Sequence, residues 1–323
     1  MKTYSASQLL DKINNYLQEM PYSRPPKGLY DPIEYELSLG GKRIRPVLML
    51  MAYNLYKEDV ESILPQAAGL ETYHNHTLLH DDVMDKAEMR RNKPTVHRVW
   101  NENTAILSGD AMLILAYRLM ADCPADKLKE VLAIFTRTTM EICEGQQWDM
   151  EFETRMDVSV DEYIEMIRLK TSVLLAAAMK IGACMADAPK EDQEKLYEFG
   201  VKIGLAFQLQ DDYLDTYGDP KVFGKNIGGD ILNDKKTWLL ISALKEDKTG
   251  ELAKFIGNKN VVPQEKIHSV RAIYDKLNLA QRCHDLIDQY AQLAIAELEN
   301  VDIPDESKDF FVNLALKSCR REN

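Results

Sequence analysis

Glycine and proline are scarce in this 323-residue chain, at 15 and 12 residues. Long stretches therefore run without the residues that interrupt helices. Alternating β-branched patterns are rare as well, which argues against a sheet-based fold. No apolar run reaches about 18 residues, so no membrane-spanning helix and no stable membrane insertion are expected. The five cysteines, Cys123, Cys143, Cys184, Cys283 and Cys319, are odd in number and widely spaced, with no C-x-x-C pair. Reduced thiols are expected, not a disulfide framework or a thiolate metal site. The first twenty residues, MKTYSASQLLDKINNYLQEM, hold no apolar signal core and include acidic side chains. A secretory or transit segment is not expected, and a cytoplasmic location is. The formal net charge of −12 argues against a nucleic-acid partner.

What is present is 45% hydrophobic sequence in helical period, ample for one large core. Ser5 precedes an amphipathic stretch with Leu9, Leu10, Ile13 and Leu17. The proline-rich stretch 21–32 reads as a linker or irregular entry. A helix begins near Pro46, apolar all round through Ala52, as a fully buried helix should be. Further helices are predicted at 65–86, 101–121, 126–152, 160–186 and 190–217, then from about 230 and after Pro263 and Pro304. The intervals 87–97 and 218–229 read as loops. No break in composition divides the chain, so one all-α domain over 1–323 is expected, a large single-domain helical bundle.

Two acidic clusters share one spacing: Asp81-Asp82-Val83-Met84-Asp85 and Asp211-Asp212-Tyr213-Leu214-Asp215. On a helix, positions i and i+4 share a face, so each D-D-x-x-D aims at least two carboxylates in one direction. Such clusters occur on solvated helix faces too, and 52 of the residues here are acidic. Their neighbours shift the balance. Each follows an apolar stretch, and each is trailed by cations: Arg90, Arg91 and Lys93 after the first, Lys221, Lys225, Lys235 and Lys236 after the second. Carboxylate oxygens in this arrangement suit Mg²⁺, which keeps several waters and shares its shell with substrate phosphates.

Gly40-Gly41-Lys42-Arg43-Ile44-Arg45-Pro46 is the second signal. Two glycines let backbone approach an anion, and Lys42 and Arg45 add charge near a helix start. His76 and His80 stand at i, i+4 but lack the glutamate of H-E-x-x-H, so zinc is disfavoured.

With Gly-Gly-Lys-Arg-x-Arg-Pro, His-Asp-Asp-x-x-Asp, Arg-Arg-Asn-Lys-Pro-Thr-Val-His and Phe-Gln-x-Gln-Asp-Asp-x-x-Asp in this order, the sequence resembles the trans-prenyl diphosphate synthases, or polyprenyl synthetases. The resemblance runs from about residue 30 to 245. It implies a helical bundle around a deep apolar cavity, usually a homodimer, with three Mg²⁺ ions bridging an allylic diphosphate to the two clusters. By motif position it implies Asp81, Asp85 and Asp211 as direct ligands, with Asp82, Asp212 and Asp215 completing the two carboxylate sets. It assigns Arg90 to the allylic diphosphate, and Arg91, Lys42, Arg45 and His74 to isopentenyl diphosphate. Lys170, Thr171 and Gln208 match the catalytic Lys-Thr pair and the glutamine before the second cluster. Lys225 and Lys235 match two further cations on the allylic diphosphate, and Gln146 a polar residue of the cavity.

The implied reaction is Mg²⁺-dependent head-to-tail condensation of isopentenyl diphosphate with dimethylallyl, geranyl or farnesyl diphosphate. The segment 218–229 and the basic tail Lys317–Arg321 are candidates to close over the site, although a solvated terminus suits the tail better. His76 and Thr77 occupy the chain-length positions before the first cluster. Fifteen-carbon synthases often carry an aromatic floor there. Here the pair is a medium polar ring and a small residue, which places the floor deeper, at Tyr73 or at Met112 and Leu113, and favours a twenty-carbon product slightly over fifteen. A class I terpene cyclase would leave Lys42, Arg45 and Arg91 unexplained, and a non-catalytic regulatory subunit would often have lost an acidic cluster.

Overall fold

Helix after helix begins where the sequence supplies a cap. Ser5 accepts from the Gln8 amide while the Gln8 side chain accepts from the Ser5 amide. Ser159 and Glu162 repeat that reciprocal box, and Asn101 and Thr237 cap two more helices. The computed structural model describes residues 3–22, 24–218, 227–258, 260–303 and 305–319. In chain order the helices are α1 (Ala6–Glu19), α2 (Lys27–Ser38), α3 (Ile44–Asn54), α4 (Leu64–Met84), α5 (Val96–Val99), α6 (Glu102–Met120), α7 (Ala125–Phe152) and α8 (Val160–Ile167). They continue as α9 (Val173–Met185), α10 (Lys190–Tyr217), α11 (Gly229–Leu232), α12 (Trp238–Glu246), α13 (Pro263–Lys276), α14 (Leu279–Glu299) and α15 (Asp305–Cys319). The sheet among the described residues is a two-stranded hairpin, Met89–Arg90 against Lys93–Pro94.

The chain groups into two units. The first comprises residues 1–136 and 177–194. Here α4 packs along α6, with α1, α2 and α3 around them. Leu9, Ile13 and Leu17 of α1 are buried on one stripe, each contributing about 1.5–3 kcal/mol by leaving water. In α3, every residue from Pro46 to Asn54 is buried, as its all-round apolar character predicts. The second unit comprises residues 137–176 and 195–323, where α14 packs against α15 and α12.

Three expectations are corrected. The stretch 21–32 is not irregular throughout: α2 starts at Lys27 and carries Pro32 inside it. Its buried positions Pro32, Ile33, Glu36 and Leu37 follow helical spacing, and this face outweighs the local proline signal. The helix predicted at 160–186 is interrupted by a π turn at Arg168–Ser172. The helix expected from 230 is a four-residue turn, and regular helix resumes only at Trp238. The remaining predicted helices agree with the structure within two or three residues at their ends. Among the described residues no helix is long and apolar enough to cross a membrane. Cys123, Cys143, Cys184 and Cys283 are all free thiols.

Candidate active site

In the first unit the cations and carboxylates converge below the glycine turn. Gly40 and Gly41 have φ of 84° and 140°, values that favour glycine. The guanidinium of Arg91 packs where a Gly41 Cβ would stand, its Nη2 only 2.9 Å from that point. Arg91 also donates through Nη1 to the Gly40 carbonyl. Lys42 is exposed. Arg43, the residue between the two motif cations that the sequence reading passed over, is buried and bonds Glu71 at 2.6 Å and the Leu37 carbonyl at 2.8 Å. Arg45 Nη1 lies 3.2 Å from His74 Nε2. Burial, then the charges of Arg45 and Arg91, hold the His74 imidazole well below its usual range. It is therefore neutral and accepts from Arg45.

The first acidic cluster closes the C-terminal end of α4, which stops at Met84. Asp82 is buried. It accepts from Arg90 Nε at 3.1 Å and Nη2 at 2.5 Å, a two-pronged pair. Burial pulls the Arg90 guanidinium down, but the bond to Asp82 and the charges of Asp82, Glu36 and Asp81 together outweigh it and the net shift is upward. Arg91, whose bond is to a carbonyl, is shifted down, first by burial. Asp81 and Asp85 stand one helical turn apart at the same helix end, tied through backbone by the Asp85 amide on the Asp81 carbonyl at 2.8 Å.

In the second unit the second cluster closes the C-terminal end of α10. Asp212 is buried. It accepts from Tyr163 at 2.5 Å and from the Gln208 amide at 2.9 Å. Gln208 in turn accepts from the Thr171 hydroxyl at 3.1 Å, so Thr171, Gln208 and Asp212 form one relay. Lys170 donates to Asp149 at 2.6 Å. The π turn that presents Lys170 and Thr171 needs two glycines. A Cβ at Gly145 would lie 2.4 Å from the Lys170 amide nitrogen, and one at Gly204 would lie 2.5 Å from Ser172 Cα. Asp215 accepts from the Asp230 amide at 2.9 Å, and Lys235 Nζ stands 3.9 Å from Asp230. Gln146 is half-buried on α7, one residue beyond Gly145. Lys225, with Lys221 and most of the segment 218–229, lies outside the described residues, as do Arg320 and Arg321 of the tail.

Burial, and then neighbouring carboxylates against the pull of Lys235, raises Asp230 to about 7. Asp212 is raised in the same way, burial first, with Asp149 adding to it. Asp149, Asp230 and Tyr163 are thus part of this site, and none was assigned a role from sequence. Asp149 had a signal in its place three residues after Gln146, and Asp230 in the pair of glycines before it. Glu36 was missed as well. It is fully buried, and neither carboxylate oxygen has a hydrogen-bond partner among the described residues. Burial, then the charge of Asp82, pushes it up to about 7, while Arg90, Arg91 and Arg43 pull the other way.

His76 and Thr77, the positions expected to set chain length, lie on α4, which packs along α6. Burial holds His76 down at about 4, so it is neutral at physiological pH and its Nδ1 donates to the Gly109 carbonyl at 2.9 Å. Its ring stands 5.5 Å from Tyr73 and 4.5 Å from His80. Tyr73 meets Phe135 edge-on at 5.4 Å, and Phe135 meets Tyr117 at 4.9 Å. Thr77 turns its hydroxyl onto the His74 carbonyl at 2.7 Å. Met112 is fully buried and Leu113 partly so.

The donor set suits a hard divalent cation. Both clusters sit at helix C-termini, where the helix dipole adds negative potential, and oxygen is the donor atom throughout. Among the described residues no three His, Cys, Asp or Glu side chains form a ready-made metal cage.

An all-α fold with two aspartate-tipped helices, each beside its own cations, defines the class: a helical enzyme of the metal–diphosphate type. The polyprenyl synthetase family model matches residues 26–277. The chain belongs to the polyprenyl synthetase family. It is 44% identical over 277 residues to the short chain isoprenyl diphosphate synthase of Methanocaldococcus jannaschii, covering 84% of each chain. It is 35% identical over 305 residues to the geranylgeranyl pyrophosphate synthase of Geoglobus acetivorans, covering 94% of each. A crystal structure of a geranylgeranyl pyrophosphate synthase superimposes with a TM-score of 0.95 at 42% identity, covering 99% of this chain and all of the other.

Proposed function

We propose that this enzyme condenses isopentenyl diphosphate head-to-tail with an allylic diphosphate, and that its principal product is the twenty-carbon all-trans prenyl diphosphate. The observation that carries the reading is the second acidic set: among the described residues Asp212, Asp215, Asp230 and Asp149 lie within electrostatic reach of one another, and burial with their mutual repulsion raises Asp212 and Asp230. The geranylgeranyl names of the relatives support the product length. Asp81, Asp85 and Asp211 serve as the direct Mg²⁺ ligands, about three ions in all by family resemblance. Mg²⁺, when bound, supplies Lewis-acid charge on the diphosphate oxygens as the allylic C–O bond breaks.

The chain's own residues do the rest. Arg90, Lys170, Lys225 and Lys235 stabilise the departing diphosphate with their positive charge. Lys42, Arg45, Arg91 and neutral His74 orient isopentenyl diphosphate. Asp149 aims Lys170, and the Thr171–Gln208–Asp212 relay fixes Gln208 with an oxygen dipole available to the allylic cation. Asp82 holds Arg90 in place as a support and not as an open ligand, because its three side-chain hydrogen bonds among the described residues all run to that arginine.

A homodimer is part of this reading. Ile106, Leu107 and Ile114 are exposed by 44%, 60% and 70% on α6, an apolar face of the kind a second copy covers. The test is a product assay. The protein is incubated with Mg²⁺, isopentenyl diphosphate and each allylic primer, and the dephosphorylated alcohols are sized. A linear twenty-carbon alcohol supports the reading. Cyclic hydrocarbon formed without consuming isopentenyl diphosphate would make the chain a cyclase, and arrest at fifteen carbons would place the floor at His76.

A further inference from the structure

Glu36 stands apart from every other buried charge of the first unit. Arg43 is matched by Glu71 and Arg90 by Asp82. Among the described residues, Glu36 and Arg91 have no ion pair. The stretch around Glu36 is tied to the arginine hairpin on both sides. Tyr35, one residue before, donates to the Pro94 carbonyl at 2.7 Å, and Gly40, four residues after, accepts from Arg91. Leu37 accepts from Arg43 at 2.8 Å. The charges that face Glu36 are Asp82 from α4, Arg90 and Arg91 from the hairpin, and Arg43 from the glycine turn. A fully buried carboxylate is thus seated among three arginines and bonded to none.

We propose that Glu36 is a brake on anion affinity: its negative charge subtracts from the field of Arg43, Arg90 and Arg91, weakens diphosphate binding there, and speeds release of the anion. This rests on the proposed assignment of Arg90 and Arg91 to substrate diphosphates. The physical argument is Coulombic. In a region of low dielectric, a fixed negative charge near a bound anion acts with little screening. Glu36 gains no hydrogen bond in return, so it contributes repulsion without holding any arginine in place.

The test compares full-length wild type with Glu36→Gln, which keeps shape and removes charge, and with Glu36→Leu. Inorganic diphosphate and isopentenyl diphosphate are titrated in turn at about pH 8, where Glu36 is ionised, without Mg²⁺, by calorimetry. Both variants are expected to bind both anions roughly tenfold more tightly, with thermal midpoints no lower than wild type. Unchanged affinity would overturn the brake. Weaker binding would overturn it too, and make Glu36 a residue that holds the arginines in place. Loss of the fold in Glu36→Gln would show that the carboxylate is bonded, with the same consequence. Wild type that bound neither anion would overturn the diphosphate reading along with the brake, whereas normal wild-type binding with unaltered variants would sink the brake alone.

Discussion

The two aspartate sets share a spacing and a place at the C-terminus of a helix, yet their charge is met differently. In the first, Asp82 is paired two-pronged with Arg90, and that pairing raises the arginine. In the second, the hydrogen-bond partners of Asp212 among the described residues are neutral donors, Tyr163 and Gln208, and Asp230 is driven up to about 7. Among the described residues, the buried aspartate of one region is bonded to a cation, and that of the other to neutral donors. The same motif letters thus describe an aspartate held by an arginine and an aspartate held by a tyrosine and a glutamine. The difference lies in residues far along the chain: an arginine eight positions after Asp82, and Asp149, Tyr163 and Asp230 around Asp212.

The strongest way to break the comparison is to remove a proposed ligand from each side. Asp81→Ala and Asp211→Ala are each expected to lower turnover by roughly 10³-fold or more, with helical circular dichroism unchanged. Near-normal turnover in either would remove that side from the metal site.

Stability should separate the sides by sign. Asp82→Asn strips a largely buried arginine of its partner, and is expected to cost about 3 kcal/mol in denaturant unfolding without Mg²⁺. Asp212→Asn removes a charge that burial already penalises, and is expected to be neutral or stabilising under the same conditions. Equal losses in both would mean that the two sets are balanced alike.

Glu36 brings the second region's difficulty into the first. Its pKa is raised in the folded state, so between about 4.5 and 7 the folded protein holds a proton that the unfolded chain has released. Its contribution is therefore full below about 4.5 and is lost as pH rises through 7. The loss is on the order of 3 kcal/mol. Glu36→Gln should flatten that part of the stability profile, measured between pH 5 and 8. An unaltered slope would assign the effect elsewhere.

The smallest effect is expected at the chain-length positions. His76→Ala removes a ring bonded to Gly109 and stacked between Tyr73 and His80. Product analysis should show a shift toward longer prenyl chains with total turnover within about tenfold of wild type. An unchanged distribution would place the floor at Tyr73 or Met112.

Most of the fold could be read from helical period, which α3, α6, α7 and α10 carry in their own residues, and from caps such as Ser5, Asn101, Ser159 and Thr237. The candidate site was legible where it is written as short motifs: Gly40 to Pro46, the two aspartate sets, Arg90-Arg91 and Lys170-Thr171. What stayed hidden depends on packing. Helix α2 was masked by its prolines, whose local signal is opposed by a buried face visible only once α6 is in place. The π turn has no composition of its own; it exists because Gly145 and Gly204 on two other helices leave room for it. Glu36 reads in sequence like any solvated glutamate, and only its burial distinguishes it.

The most direct measurement is a Mg²⁺ titration of the metal-stripped protein, following isopentenyl diphosphate consumption with farnesyl diphosphate as primer, in wild type and in Asp211→Asn. The account predicts no turnover without metal, steep recovery with Mg²⁺ in wild type, and recovery in the variant that is at least 10³-fold weaker and needs more metal. Metal-independent turnover, or identical titrations for the two proteins, would contradict it.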